Sequence, residues 1–464
     1  MLSKNCINLL KIKIKKMTDS KTYFNNKKFF IRNLKETDIN KNYLNWFKNI
    51  KNKKFIVNSN FENLKELKIY YKNQIKEKSI FFGIFDSNTN KHIGNIKFDN
   101  INHIKKSAWV GIFLGDTNYR NQSIGSKSII VACDLIYKKF KIFKIYLSVR
   151  KKNLVDISSY KNAGFYIYNS KKKIKFIMLR NYFLSKIIIG SANFENNYGI
   201  VGKKKISEKE KDRIFMLSNK FNISSYDLSE AYNLNFKSIN RGIPKDSKIY
   251  LKLLKSFKNF DIKKILRLKN FLNKKGSFFM IHGFKKVIDF KKKNTKNNLT
   301  KLSKILPLGI SVYSPSEIRK AYKFFKFETV QAPVNIFDQR FLSRSMLGFL
   351  KKNNIQLCAR SIYLQGVLLQ NKKFIKKNFP QFYNDFSIFF NQLNKNLNIR
   401  KKLITHFIFQ NVNIDKIVVG FENSKQLKDL INILNKFYNL EKIKFSQFKI
   451  NKLKLINPTK WDTT

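Results

Sequence analysis

Four residue types recur in an order that suits proton and hydride chemistry. Asp227 closes an apolar run at 224–227, and Tyr232 follows it within the stretch YDLSEAYN. Lys252 lies at the end of IYLKL, and His282 at the end of FFMIH. Polar groups at the C-terminal ends of successive parallel strands converge on one mouth, where barrel enzymes keep their active sites. An ammonium beside a phenol lowers the phenol pKa by stabilising phenolate. With a carboxylate orienting the ammonium, Tyr232 becomes a proton donor to a carbonyl as a hydride arrives. Singly, each residue has an ordinary reading: His282 as a core histidine, Asp227 as a helix N-cap. Lys252 is unusual as a buried residue without a partner. The order Asp, Tyr, Lys, His over three consecutive runs is what favours chemistry.

A second set lies upstream. Tyr119, Arg120, Asn121, Gln122, Ser123, Ile124, Gly125 and Ser126 fall between a strand-like and a helix-like segment. Free N–H groups at a helix N-terminus attract anions, and small residues let a pyrophosphate approach the backbone. An ordinary Ser-capped loop is the alternative. Asp116 reads equally as a general base or as a turn cap.

These residues need elements to position them, and two patterns meet near residue 185. Upstream, strands are expected at 30–34, 81–86, 93–100, 108–114 and 145–149, with helices at 37–49, 126–140 and 155–163. The turn-rich residues 87–90 make a hairpin of the second and third strands. Downstream, short apolar strands are expected at 187–189, 224–227, 249–253, 278–281, 309–313, 329–333, 355–359 and 417–420, each followed by a helical or lysine-rich stretch. Eight such alternations suit a (β/α)8 barrel, which takes about 250 residues. Residues 286–304, rich in Lys and Asn, read as a solvated helix face or loop. The expected fold class is an α+β domain over 28–183 followed by an α/β barrel of the TIM type over 186–464, with 1–27 as an N-terminal extension. Met17 is an alternative start.

Composition sets the outer bounds. The chain has 464 residues, a net charge of +66, 43% apolar residues and 45 Phe. That excludes a mainly disordered chain, and the 3 Cys exclude a disulfide scaffold. The Lys residues are scattered, and Lys, Asn, Ile and Phe are over-used together, as AT-rich codons produce. Compositional drift therefore explains the charge better than a clustered nucleic-acid face does. A basic surface still favours anionic small molecules, so the expected partners are anionic substrates, not a specific nucleic acid. Cys6, Cys133 and Cys358 show no zinc spacing, so no metal site is expected and a reduced, cytoplasmic setting is the simplest reading. No apolar stretch is long enough for a membrane span.

Residues 28–183 resemble the GNAT acetyltransferases, in particular the branch acting on ribosomal-protein N-termini and amino sugars. The resemblance rests on IRNLKETDINKNYLNWF (31–47), IGNIKFDNI (93–101), VGIFLGDTNYRNQSIGS (110–126) and KIYLSVRKKNLVDISSYKNAGF (144–165). It implies acetyl-CoA as cofactor, its pyrophosphate held by the amides of Gln122, Ser123, Ile124, Gly125 and Ser126 beside Arg120. It also implies Asn153 in the site and Tyr160 as the proton donor to the departing CoA thiolate; a half-buried amphipathic ring is the ordinary reading of Tyr160. Ser123 stands in a position the family usually gives to Gly.

Residues 186–464 resemble the aldo/keto reductases. Besides the four residues above, the resemblance rests on IIIGSANFENNYGI (187–200), GISVYSPSEI (309–318), VQAPVNIFDQRFL (330–342), ARSIYLQGVLL (359–369) and VVGFENSKQL (418–427). The last stretches look most like members found with bacterial surface-polysaccharide pathways. The resemblance implies Asp227, Tyr232, Lys252 and His282 as the catalytic four. Ser311 and Gln331 would then bind the nicotinamide carboxamide, and Gly420 with its following loop the cofactor phosphates. Departures are Val312 for Asn, Arg360 for a stacking aromatic, Asn233 for Gly, and Gln426 near an Arg of NADPH-preferring members. NADPH and NADH both remain open. The expected function is a bifunctional acetyltransferase and NAD(P)H-dependent reductase acting on nucleotide or amino sugars. The alternatives are a protein N-terminal acetyltransferase with a non-catalytic barrel, or a basic nucleic-acid-associated protein.

Overall fold

Runs of Phe and Ile, buried at consecutive positions in Phe29–Ile31 and Ile80–Phe85, build the centre of the first sheet. In the computed structural model, which describes residues 22–23, 28–53, 61–170, 173–201, 205–232, 242–244, 246–253, 260–271, 276–282, 293–392, 396–436, 443–458 and 461, the chain divides into two units, Met1–Tyr182 and Phe183–Thr464. The first holds strands β1 (Thr22–Tyr23), β2 (Phe29–Asn33), β3 (Ile80–Asp86), β4 (His92–Asn102), β5 (Ser107–Leu114), β6 (Lys144–Arg150), β7 (Tyr166–Asn169) and β8 (Lys175–Asn181). They form one sheet in the order β1-β2-β3-β4-β5-β6-β8-β7. Every neighbouring pair is antiparallel except β5 and β6. These two pair only from Ser107↔Lys144 to Trp109↔Tyr146 and then part. Past that point Ile112 of β5 reaches the first turn of the helix Ile124–Phe140, where a Cβ on Gly125 would lie 3.9 Å from its Cδ1. The helix's buried Ile129, Ala132, Cys133 and Ile136 form the stripe that a half-buried helix needs.

The helix expected over 37–49 is two pieces, a 3-10 turn Glu36–Asp38 and the helix Lys41–Lys48. Asn40 breaks it, because its side chain caps the second piece by accepting the Tyr43 N–H at 3.1 Å. The hairpin of β7 and β8 and the helix Leu64–Lys76 add to the expected elements.

In the second unit, β9 (Ile187–Gly190), β10 (Ser225–Ser229), β11 (Lys248–Leu253), β12 (Phe278–Ile281), β13 (Leu308–Ser311), β14 (Thr329–Pro333), β15 (Gln356–Arg360) and β16 (Lys416–Gly420) close into a parallel barrel. All eight expected strands are present, shifted by no more than two residues at either end. The seam is β16 on β9, from Ile417↔Ile187 to Gly420↔Gly190. Ile188, Tyr250, Phe278, Met280 and Cys358 form one of its buried clusters. Residues 293–303 of the lysine-rich 286–304 stretch form a helix. Cys133 and Cys358 are free, buried thiols, and Cys6 lies outside the described residues. Among the described residues no helix is long and apolar enough to cross a membrane.

Candidate active sites in the two units

The barrel brings the four expected residues to one end. Asp227 is on β10, Lys252 on β11, and Tyr232 in the 3-10 turn Glu230–Tyr232 that follows β10. His282 comes directly after β12, its N–H donating to the Leu253 carbonyl at 3.3 Å. Lys252 Nζ donates to Asp227 Oδ2 at 2.7 Å and to Tyr232 Oη at 3.4 Å. The Asp227 and Lys252 side chains are only 3% and 5% exposed. The second Asp227 oxygen accepts from Gln331 Nε2 at 2.9 Å, and the Ser191 hydroxyl donates to its backbone carbonyl at 2.7 Å. The carboxylate is thereby held on both oxygens. It holds the ammonium, which in turn reaches the phenol.

The electrostatics correct one expectation. Burial pushes the Tyr232 phenol up, and the Lys252 ammonium pulls it back only in part, so the pKa is raised rather than lowered. Desolvation penalises phenolate more than one cation can compensate. Tyr232 is therefore protonated at neutral pH, the form that a proton donor needs. Lys252 is raised despite its burial, because Asp227 and Tyr232 stabilise its charge. His282 is lowered to about 3, by burial first and then by Lys252 and Arg360. It is a neutral imidazole, able to donate a hydrogen bond without adding a charge. Its depressed pKa makes the unfolded chain bind more protons below the ordinary value of about 6.5. Its contribution to stability is therefore present above about pH 6.5 and is lost as pH falls toward 3. We expect His282→Gln to flatten this acid slope in urea unfolding between pH 6.5 and 4; an unchanged slope would contradict the assignment.

Three polar atoms near these strand ends are buried without a partner among the described residues: His282 Nδ1, Ser311 Oγ and Gln331 Oε1. Ser311 and Gln331 pair across β13 and β14 and are 2% and 0% exposed. Buried polar atoms are rarely left unpaired without a reason. A hydroxyl beside an amide oxygen fits the donors and acceptors of a carboxamide such as that of nicotinamide. Gln331 has a role that the sequence did not reveal, since its amide nitrogen also holds Asp227. The loop after Gly420 fits less simply. Gly420 is exposed, and a Cβ there would lie 3.3 Å from Asn193 Oδ1, so the missing side chain leaves room for backbone approach. The helix Ser424–Leu434 begins just beyond it, but its Ser424 N–H already donates to Glu210 Oε2 at 2.7 Å. Glu210 is held down at about 2 by that amide, Arg213 and the Ser424 hydroxyl. Gln426 bonds to Glu422 instead of standing free. Val312 is buried, and its carbonyl accepts from Arg360 at 3.2 Å. Asn233 lies outside the described residues.

In the first unit, the helix Ile124–Phe140 starts without a side-chain cap. The amides of Ile124, Gly125 and Ser126, its first three residues, have no partner within the helix. Ser126 Oγ donates to the Ser123 carbonyl at 3.1 Å. Ser123 has φ 58° and Asn121 φ 61°, both left-handed. A non-glycine residue there costs about 1–2 kcal/mol, offset in glycine by roughly 0.5–1 kcal/mol of backbone entropy. We expect Ser123→Gly to stabilise the N-terminal unit by about 0.5–1 kcal/mol, read as a higher urea midpoint; a lower midpoint would contradict it.

Other expected residues are engaged within the unit. The Arg120 guanidinium turns back to the Leu114 carbonyl at 3.2 Å and to the Asn52 side chain. Gln122 Nε2 donates to the Asn118 carbonyl at 2.9 Å. Asn153 caps the helix Leu154–Asn162, accepting the Asp156 N–H and donating to its carboxylate at 2.6 Å. Tyr160 is half-buried in an edge-to-face pair with Phe165, and burial followed by Asp156 pushes its phenol up. Asp116 takes the cap role, accepting the Asn118 N–H at 3.0 Å and pairing with Lys91 at 2.7 Å.

Sequence reasoning missed His92. Its Nε2 meets Asn95 Oδ1 at 2.8 Å, its Nδ1 has no partner among the described residues, and Phe85 stacks on it. With only 4 His in the chain, its place in a strand was the available signal.

Residues 284–450 match the aldo/keto reductase family model. The match includes Ser311, Gln331 and Gly420 and begins after the four residues Asp227, Tyr232, Lys252 and His282. No curated protein matches the chain. Similar solved structures include a chimera of the spermidine N-acetyltransferase of Vibrio cholerae, with 21% identity, 33% of this chain and 95% of that chain covered, and a TM-score of 0.29. Another is a ribosomal-protein-S5-alanine acetyltransferase from Vibrio fischeri, with 18% identity, 35% and 97% covered, and a TM-score of 0.31. A third is a domain from Methanocaldococcus jannaschii DSM 2661, with 18% identity, 33% and 98% covered, and a TM-score of 0.29. The chain thus joins a unit built on one eight-stranded mixed sheet to a closed eight-stranded parallel barrel, and residues 284–450 of the latter match the aldo/keto reductase family model.

Proposed function

We propose that the chain is a two-activity enzyme, an NAD(P)H-dependent carbonyl reductase joined to an acetyl-CoA-dependent N-acetyltransferase, working on nucleotide or amino sugars destined for surface polysaccharide. The observation that carries the reading is the barrel cluster. Asp227, Lys252 and Tyr232 are linked by hydrogen bonds in a barrel whose strand ends also bring the unpartnered atoms of His282, Ser311 and Gln331.

A nicotinamide cofactor, when bound, supplies the hydride that forms the new C–H bond. The protein's residues do the rest. Ser311 and Gln331 orient the carboxamide. Neutral His282 donates a hydrogen bond to the substrate carbonyl and fixes its direction. Tyr232 gives its phenolic proton to the carbonyl oxygen, which becomes the alcohol. Lys252, fixed by Asp227, stabilises the phenolate that remains until solvent returns the proton. In the first unit, the amides of Ile124, Gly125 and Ser126 hold the pyrophosphate of acetyl-CoA. The substrate amine would form the new C–N bond to the acetyl carbon and lose a proton to water as the C–S bond breaks, and Tyr160, kept protonated by burial, would give its proton to the departing thiolate. Arg120 and Asn153 act on that site by shaping the loop and the neighbouring helix.

A thermal-shift panel tests the reading, with NADPH, NADH and acetyl-CoA against pyrophosphate and a DNA duplex at near-physiological salt. A ligand at a hundred times its Kd adds about 2.7 kcal/mol to stability. We expect shifts from acetyl-CoA and at least one nicotinamide cofactor, with none from the two controls. Equal shifts from every polyanion would overturn the proposal.

A further inference from the structure

Arg360 ends β15, and parallel barrels direct such strand ends toward the catalytic mouth. It is half-buried. Its guanidinium lies 4.3 Å from the centre of the Tyr313 ring, and it donates to the Val312 carbonyl at 3.2 Å. The Ser361 hydroxyl lies 3.5 Å from it. All of these contacts are neutral. Among the described residues no carboxylate lies within ion-pair distance of it, whereas Arg340, on the loop after the neighbouring β14, is paired with Asp338 at 2.7 Å. Its charge reaches Lys252 and His282, disfavouring a proton on either. Among the described residues the carboxylate bonded to Lys252 is Asp227, and it is already committed to Lys252 and Gln331, while Glu230 pairs with Lys264 at 3.7 Å. Asp227, Lys252 and Arg360 taken together therefore carry one surplus positive charge, and Arg360 offers it on a planar fork preset by an aromatic face and a carbonyl. Such a fork suits a carboxylate or phosphate, which it can bind through two parallel hydrogen bonds.

We propose that Arg360 selects an anionic carbonyl substrate, its guanidinium taking a carboxylate or phosphate carried by the same molecule whose carbonyl meets Tyr232 and His282. The inference rests on the reductase reading of the barrel and narrows its substrate class. An oxyanion on Arg360 neutralises the surplus charge and orients the carbonyl relative to Tyr232. The chemical step is unchanged.

Matched substrate pairs test it: 4-oxobutanoate against butanal for the carboxylate, and glyceraldehyde 3-phosphate against glyceraldehyde for the phosphate. For at least one pair, we expect the wild-type kcat/KM to favour the anionic member by tenfold or more. The pair that does so identifies the oxyanion. Arg360→Ala should lower that ratio at least tenfold, and Arg360→Lys, which keeps the charge but loses the fork, should fall between. Calorimetric titration of butanoate and inorganic phosphate into the cofactor-loaded protein gives a reading independent of turnover, and at least one anion should bind tenfold more weakly to Arg360→Ala. An unchanged ratio with unchanged anion binding overturns the proposal. So does a tenfold weaker cofactor Kd in Arg360→Ala with the ratio intact, which would assign Arg360 to the cofactor. Failure of the reductase reading looks different: the wild type then binds neither NADPH nor NADH and reduces no member of either pair.

Discussion

Tyr232→Phe is expected to lower kcat for carbonyl reduction by about 10²–10⁴-fold, the usual contribution of a positioned proton donor. The ring is retained, including its approach to Tyr198 at 6.4 Å. Only the hydroxyl that meets Lys252 Nζ at 3.4 Å is removed. Fluorescence titration should accordingly give a nicotinamide-cofactor Kd close to that of the wild type, which separates a lost proton donor from a collapsed site. The wild-type rate should also hold into alkaline solution, because the raised phenol pKa keeps Tyr232 protonated beyond its ordinary value of about 10. Wild-type kcat in Tyr232→Phe would remove this residue from the mechanism.

Lys252→Met produces the second large effect, on stability as well as rate. The ion pair with Asp227 is almost fully buried, so removing the cation leaves a carboxylate with Gln331 as its remaining side-chain donor. Breaking a buried pair from one side costs about 3–5 kcal/mol, while replacing both partners by neutral residues is often far milder. We therefore expect Lys252→Met to unfold at markedly lower urea, and Asp227→Asn with Lys252→Met to recover most of that loss. Neither variant should reduce a carbonyl, since both lack the ammonium that stabilises the Tyr232 phenolate. The Lys252 pKa is raised above its unfolded value, so the pair's contribution is complete at neutral pH and is lost only as pH rises through the folded pKa, in strongly alkaline solution. A single variant as stable as the double one would contradict the account.

The barrel was legible because each of its strands is a short apolar run bounded by turn residues, and burial on both faces leaves little room for other patterns. The order Asp227, Tyr232, Lys252, His282 was legible for a related reason: polar residues at the ends of otherwise apolar strands stand out. The sign of the Tyr232 shift was not, because it depends on how much water is excluded as well as on which neighbours are charged. Nor was the contact of Glu210 with Ser424, which joins residues 214 apart in sequence. Gln331 could be matched to a carboxamide by resemblance, but its bond to Asp227 spans the barrel and leaves no local signature. In the first unit, the β7–β8 hairpin was hidden because a lysine-rich run near 171–175 leads straight into β8, where the buried Met178 and Leu179 are consecutive and give no alternation. Asn40 shows a subtler limit. It is a strong cap residue, yet the apolar spacing on either side continues through it.

Transfer of deuterium from nicotinamide cofactor labelled at ring C4 to an anionic aldehyde, read by mass spectrometry of the alcohol, tests the central claim most directly. Both C4 faces should be labelled, so that the result does not depend on which one is used. The account predicts one deuterium on the former carbonyl carbon with the wild-type protein, and a product yield in Tyr232→Phe reduced by two orders of magnitude or more. No deuterated alcohol from the wild type, with the cofactor shown to be bound, would contradict it.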